Sequence, residues 1–554
     1  MINYHFNLRF PFLLLLLSYS SLLLPQSRGL KTISEKELRY HLEFLGAKEF
    51  RGRETPSPEL DIATLYVANW ARNAGLKPIM QDGSFYQSVP VTVTTVFQPG
   101  TRIRVYGGKS EQIYYYGQAF GGNFTASGSY SGDVVFAGLG ISDPETGWDD
   151  LHDLDLKGKI VIILDALRPG NKTAPGPYYY YRLNSIVSGL HDRGASAVLS
   201  VVSTEREAKL NSGFNIFDDI PSGRMGILYD SQKTKFESES IKKKVETGRP
   251  DLPFEQAEIS HELAADLLGV TINDIKEMFM QVKQGKQVAP KEVKSIRVQL
   301  DVAVESVKRA SRNVIAVIEG SDPLLRNEYI VVSGHPDGLG LREGEIIPGA
   351  DDNCTATVAL IEIAQALLTE RPKRSVIIAW FTGEEKMMNG SHYFINNCPV
   401  PVEKISACLN MDMLGRNSTD SLFLVCSDLL SSELDASIKK VNKNSGISFG
   451  FDYRYSNINN PEQVYFRSDH YPFMRFGIPS VWYFSGFTPD YHTPRDATES
   501  INYTKFYKIT KLVYLTAFDI GNKKDLLKLD VNPKVTSRGK HNLTESSLFK
   551  YAGQ

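Results

Sequence analysis

The sequence predicts an α/β fold, a mostly parallel mixed sheet flanked by helices, with an inserted small β-rich domain. Three observations predict it. From Arg312 onward, the apolar runs Asn313 to Ile318, Tyr329 to Ser333, Ser375 to Phe381 and Ala407 to Met411 alternate with helical segments, one of them from about Thr355 to Leu368. Strands interleaved with helices imply parallel pairing and a sheet covered on both faces. Between about residues 116 and 292 the texture is different: short strands with Gly and Asp turns, such as Gly132 to Ala137 and Lys157 to Ile163, then Gly194 to Leu199 after a helical stretch. Finally, 554 residues exceed the size at which one hydrophobic core usually stops growing, so two domains are expected.

In chain order, residues 1–28 read as a secretory signal peptide. His5 and Arg9 sit in a polar leader, a leucine-rich run extends from Phe10 to Leu24, and Pro25 to Arg28 follow. The run is interrupted by Ser18, Ser20 and Ser21 and is short for a full membrane span. The chain is therefore expected to be exported, periplasmic or secreted, with no stable membrane association after cleavage. Residues 29–115 form the N-terminal part of the main domain. Within them Ser34 to Leu45 and Leu60 to Ala74 read as amphipathic helices; in the second, Ile62, Leu65, Tyr66 and Trp70 fall at helical spacing, a core-packing signal, and Gly75 suits the stop. The insertion spans 116–292, the main domain resumes over 293–525, and 526–554 form a tail.

Composition narrows the function. Hydrophobic residues make up 42% and charged residues 23%, ordinary globular usage. A net charge of −2 without long Lys/Arg runs argues against nucleic acid or anionic lipid as partner and for a small or peptidic ligand. The four cysteines, Cys354, Cys398, Cys408 and Cys426, lie on or beside apolar runs, where buried free thiols are favoured over a disulfide. Oligomeric state is not readable.

The chemistry lies in where acids and imidazoles fall on the sheet. In open α/β sheets, ligands gather beyond the carboxyl ends of strands. Strand Val331 to Gly334 delivers His335 and, two residues on, Asp337. The loop Pro348 to Asn353 offers Asp352 before a helix. Strand Ser375 to Phe381 leads into Glu384 and Glu385, strand Ala407 to Met411 delivers Asp412, and Asp490-Tyr491-His492 adds a second imidazole. A single Asp before a helix is commonly only a cap. Five candidate ligands and a base at successive strand ends are a different matter. Two imidazoles with three carboxylates suit two zinc ions and one bridging carboxylate. Such a pair generates a nucleophile from water near neutral pH and stabilises both oxygens of a displacement. A further carboxylate then moves the proton, and adjacent Glu384 and Glu385 are able to divide the two tasks.

The segments Gly-His335-Pro-Asp337, Gly-Ala-Asp351-Asp352-Asn353, Gly-Glu384-Glu385, Asn410-Met-Asp412-Met, Ser468-Asp469-His470 and Tyr491-His492-Thr-Pro resemble those of the co-catalytic zinc exopeptidases that include bacterial leucyl aminopeptidase. Residues 116–292 resemble the protease-associated domain inserted in many members. The resemblance implies a zinc-exopeptidase-like fold and two Zn2+ per chain, held by His335, Asp352, Glu385, Asp412 and His492, with Asp352 bridging. It also implies Glu384 as general base and Asp337 fixing the His335 ring. Asp469 and His470 match a motif near the site and are candidate substrate-binding residues. Pro336, Gly338, Met387 and Met388 depart from the family spelling without removing a ligand. The sequons at Asn353 and Asn389 fall inside these segments and read as chance matches.

The expected activity is removal of N-terminal residues from peptides. A zinc carboxypeptidase or dipeptidase of the same family is the alternative, with Arg416, Arg467 and Arg495 as candidate carboxylate binders. A glutaminyl-cyclase-like enzyme fits less well, and a non-catalytic binding protein would be expected to lack a ligand or the base. The inserted domain carries no acid/base cluster of its own and is expected to cover the cleft and restrict substrate length.

Overall fold

The computed structural model describes residues 28–543 except 108–110, 123, 125, 144–146, 167–176, 212–254, 343, 458–459, 461–463 and 540–542. The signal-peptide reading of residues 1–28 therefore lies almost entirely outside the described residues. Among the described residues no helix is long and apolar enough to cross a membrane.

Nine strands form the main sheet: β1 (Lys77–Pro78), β2 (Tyr86–Val96), β3 (Val304–Ile318), β4 (Tyr329–Gly334), β5 (Ser375–Trp380), β6 (Ile405–Met411), β7 (Ser421–Val425), β8 (Gly450–Asp452) and β9 (Ser480–Phe484). Their order is β1-β3-β5-β4-β6-β9-β7-β8, with β2 also paired to β3. The central four, β5, β4, β6 and β9, are parallel, and antiparallel β3 and β7 flank them. This is the mixed, mostly parallel sheet that the alternating apolar runs imply. Every residue of β5, β6 and β9 is buried, as a sheet covered on both faces requires.

The chain leaves β4 through helix Thr355–Thr369 to reach β5 on one side. It then returns through Asn389–Asn396 to β6 on the other side of β4. Strand order thus reverses between β4 and β6, opening a crevice at their carboxyl ends. Helix Thr355–Thr369 is buried on nearly all faces, packed by the helices Glu35–Leu45 and Tyr503–Gly521.

The N-terminal helices form as their caps predict. Ser34 caps Glu35–Leu45, Ser57 caps Pro58–Ala74, and Gly75 ends the latter in the left-handed conformation, φ 92°. The inward face of Pro58–Ala74 differs from the expected one. Its buried residues are Leu60, Ala63, Thr64, Val67, Ala68 and Ala71, whereas Ile62 and Leu65 are 55% and 47% exposed. Three alanines on one face let the helix backbone lie close against the sheet. Tyr66 and Trp70, the other two expected residues, are partly buried against the main core, and Tyr66 also meets Phe44 of the preceding helix, centroids 4.8 Å apart.

A second, eight-stranded sheet has its own core around Phe120, Phe136, Ile162, Leu199, Ile259 and Leu300. Its strands run from Arg102–Tyr106 to Lys291–Val302, beginning before residue 116 and ending after 292. The antiparallel pair β2 and β3 leads the chain into this sheet and back. β3 begins nine residues before the expected Asn313: Glu305 to Ala310 are exposed and mostly polar, so pairing with β2, not an apolar run, defines that half. All four cysteines are free, and all but the half-buried Cys398 are fully buried.

Candidate metal centre

The predicted ligands converge on the β4/β6 crevice. His335 follows β4, Asp412 follows β6, and the loop Gly383–Lys386 after β5 carries Glu384 and Glu385. Two groups gather, each with three donor atoms within 4.8 Å of one another: His335, Glu384 and Asp412, and Asp352, Glu385 and His492. Asp352 faces both. Its Oδ1 lies 3.6 Å from His335 Nε2 and its Oδ2 3.1 Å from His492 Nε2. His335 Nε2 is also 3.5 Å from Asp412 Oδ1 and 3.7 Å from Glu384 Oε2, while His492 Nε2 is 3.5 Å from Glu385 Oε2.

The donor set fits metal. His335 Nε2, Asp412 Oδ1 and Glu385 Oε1 are buried yet have no hydrogen-bond partner, although buried polar atoms are ordinarily satisfied. Charge points the same way. Burial pushes the Asp352 and Glu384 carboxyls well above their ordinary range. Asp412 adds to both, as do Asp496 for Asp352 and Glu385 and Asp469 for Glu384. Glu385 is pushed up to about 7, by burial and then by Asp352. Burial opposes charge on His335, yet Glu384, Asp412 and Asp337 together hold its pKa well above the usual imidazole value. So many carboxylates in one dry crevice need positive charge, and divalent cations supply it.

Each donor is held by surrounding groups. His335 Nδ1 meets the main-chain carbonyl of Asp337 at 3.1 Å; the Asp337 carboxylate stands 3.6 Å from Nδ1 and accepts from the Glu384 N–H at 3.3 Å. Asp337 thus ties the His335 and Glu384 loops together, its backbone orienting the ring more closely than its side chain. Asp412 Oδ2 accepts from Ser468 Oγ at 2.7 Å, and Ser468 in turn accepts from Asn410 Nδ2, whose Oδ1 accepts from Ser333. Asp496 receives the N–H groups of Asp351 and Asp352 on its two oxygens, at 2.9 and 3.0 Å. Tyr491 stacks on His492, centroids 3.7 Å apart.

Asp469 and His470 lie beneath the site and not on a surface turn. Both are fully buried; Asp469 accepts from Ser391, and the His470 ring bonds the Tyr465 carbonyl at 2.9 Å. Neither presents surface to a peptide. Asn353 and Asn389 are also fully buried, with side-chain amides donated to Met411 and Lys386 carbonyls, so neither sequon is open to a glycan. Met387 and Met388 both adopt left-handed backbone, φ 66° and 56°, and Met387 is 65% exposed. Sequence reading missed Asp496, Ser468 and Arg53. Asp496 had one signal, an acid four residues after His492, and Ser468 opens the quoted Ser468-Asp469-His470 segment; Arg53, far from every quoted motif, had none.

This fold and donor set define a class, a mixed α/β sheet protein with paired candidate metal-binding groups at the carboxyl ends of its parallel strands. Residues 313–517 match the model of Peptidase family M28, in line with the motif resemblance. Leucine aminopeptidase 2 of Arthroderma otae is 23% identical over 283 residues, 46% of this chain and 52% of that protein. Leupeptin-inactivating enzyme 1 of Streptomyces exfoliatus is 30% identical over 181 residues, 31% of this chain and 36% of that protein. The chain thus spans about half, or less, of the length of these curated relatives. Among solved structures, BSAP, a zinc aminopeptidase from Bacillus subtilis, superposes with a TM-score of 0.54 at 15% identity, covering 89% of this chain and 96% of that one. The aminopeptidase from Aneurinibacillus sp. strain AM-1 gives 0.52 at 17%, covering 90% and 96%. These structures share the fold.

Proposed function

We propose that the chain is an exported zinc aminopeptidase that removes residues from the free N-terminus of peptides. The observation that carries this reading is the Asp352 carboxylate, whose two oxygens face two different imidazoles, the arrangement of a bridging ligand. His335, Asp352 and Asp412 would hold one zinc, and Asp352, Glu385 and His492 the other. Zinc held there supplies Lewis acidity, lowering the pKa of water and polarising the scissile carbonyl.

Glu384, whose Oε2 lies 3.7 Å from His335 Nε2, takes the base role that the motif resemblance implies. Its Oε2 accepts a proton from the attacking water and delivers it to the leaving amine nitrogen. Asp337 fixes Glu384 through its backbone N–H, and the hydroxyl of Ser468 fixes Asp412; such supporting bonds tune ligands they do not replace. Asp469 and His470 pack the floor. The acidic crevice also suits a substrate ammonium group, which accounts for a requirement for a free N-terminus.

A carboxypeptidase would need a cation for the substrate carboxylate. Arg416 and Arg495 are both bound to Asp490, which removes two of the three sequence candidates. Arg467 donates to the Tyr491 hydroxyl at 3.3 Å and lies over the Phe487 ring. The second sheet, taken as a protease-associated domain, would limit substrate length by covering the crevice.

Hydrolysis of matched free and N-acetylated peptides, with a chelator and with zinc restored, tests the proposal. Cleavage that requires a free N-terminus and follows zinc supports it. Trimming of acetylated peptides from the C-terminus would replace it with the carboxypeptidase reading.

A further inference from the structure

Three of the ligand-bearing loops, those of His335, Asp352 and the Glu384-Glu385 pair, follow β4 and β5, and strand pairing alone does not hold them to one another. A four-residue segment far away in sequence, Gly52-Arg53-Glu54-Thr55, touches all three. It lies outside the family match over 313–517.

Arg53 is 1% exposed. Its guanidinium donates four hydrogen bonds to main-chain carbonyls: Nε to Pro336 at 2.8 Å, Nη1 to Leu45 and Pro348 at 2.9 Å each, and Nη2 to Gly349 at 2.9 Å. Pro336 adjoins His335, and Pro348 and Gly349 lead into Asp352. One rigid, planar fork therefore sets the spacing between the loop of the first imidazole and the loop of the bridging carboxylate. Lysine, a single flexible point donor, does not reproduce that geometry.

The backbone adds a short ladder to the same loop: Gly338 N–H donates to Arg53 O at 3.3 Å and Gly340 N–H to Gly52 O at 3.1 Å. Gly52 has φ +73°, and a Cβ there would stand 2.3 Å from Ile347 O, so this approach admits no side chain. The third loop is held by the next two residues. Thr55 Oγ1 accepts the Gly383 N–H at 3.1 Å, and Glu54 Oε1 accepts from Lys386 Nζ at 3.0 Å, bracketing Glu384 and Glu385.

We propose that Arg53, Glu54 and Thr55 are positioning residues for the two-zinc centre, locking the loops of His335, Asp352 and the Glu384-Glu385 pair at the separation that both metals require. This rests on the zinc reading above, and its test reads zinc binding apart from peptide hydrolysis. Arg53→Lys and Thr55→Val, stripped of metal and shown folded by circular dichroism, are titrated with zinc against a competing chelator, and kcat and KM are measured on zinc-saturated protein.

At least one of the two zinc affinities should fall tenfold or more in each variant. kcat should fall at least tenfold while KM changes less than threefold, because the ligands move but the substrate walls do not. Wild-type zinc affinity and kcat in both folded variants would overturn the proposal. Should Arg53→Lys fail to fold, Thr55→Val decides alone by the same zinc criterion. If the wild-type protein hydrolyses no peptide, the aminopeptidase reading fails while the zinc titrations still decide this one.

Discussion

The molecule contains two sheets with parallel strands, and both carry acids and imidazoles at their carboxyl ends. In the second sheet, strands Ile160–Leu164, Ala197–Val201 and Glu255–Ile259 run parallel and are followed by Asp165, by the helix Thr204–Asn211 and by His261. There the groups engage one another and the backbone. Arg206 pairs with Glu258 at 2.8 Å, Glu207 accepts the His261 N–H at 3.0 Å, and the His261 ring bonds the Val202 carbonyl and stacks on Phe279. In the main sheet the corresponding groups point at a common space. Among the described residues, only the His335 and His492 groups bring three such donor atoms within 4.8 Å. Acid and imidazole at a strand end are thus insufficient to mark a site. Reversal of strand order between β4 and β6 makes the difference, because it leaves a crevice into which four loops fall.

The largest test of that contrast is Glu384→Gln. Peptide hydrolysis should fall roughly 100- to 10,000-fold with zinc retained, since only the proton carrier is lost. Glu207→Gln in the second sheet should leave kcat within about twofold of wild type. Steady-state kinetics alongside metal analysis read both.

Gly52→Ala and Gly269→Ala form a second pair. Both glycines have positive φ, but a Cβ at Gly52 meets Ile347 O at 2.3 Å whereas none lies within 4 Å at Gly269. The first should displace the ligand loops and lower kcat by about tenfold or more. The second should cost only about 1 kcal/mol of stability and no activity, read by denaturant titration.

The third concerns pH. Burial, with Glu258 beside it, pushes the Asp165 carboxyl up to about 7. The native state then holds a proton that the unfolded chain releases near pH 4, so this group favours folding at low pH. That contribution declines as pH rises toward 7 and is lost above it. Asp165→Asn should remove the decline and raise the melting temperature at pH 8, by no more than about 4 kcal/mol in stability. At pH 4 the variant should match wild type, and hydrolysis should be unchanged throughout. The smallest effect is expected at the exposed mouth: Met387→Gly relieves a left-handed methionine at the cost of backbone freedom, a net change within about 1 kcal/mol by thermal melting.

The strands of the main sheet and their terminal ligands were legible because each apolar run stops where a polar donor begins. His335, Asp412 and the Glu384-Glu385 pair stand at such stops, and the chemistry of their types already implied metal. The inward face of Pro58–Ala74 was legible only in part: Tyr66 and Trp70 pack against the core as their spacing implies, whereas hydrophobic size also pointed to Ile62 and Leu65 while close approach selected alanines. The polar half of β3 was hidden for a related reason, as its pairing with β2 leaves no apolar signature.

The sequence by itself determined the α/β alternation, the candidate donors and the presence of a second β-rich unit, all properties of local pattern and residue chemistry. Tertiary structure alone decided which donors share Asp352, which acids are engaged elsewhere, and that Gly52 to Thr55 reach the loops of His335, Asp352 and the Glu384-Glu385 pair. These depend on contacts between residues far apart in the chain, 296 positions for Arg53 with Gly349 and 332 for Glu54 with Lys386. No periodicity encodes such contacts, because they form only once strand order has brought the loops to one crevice.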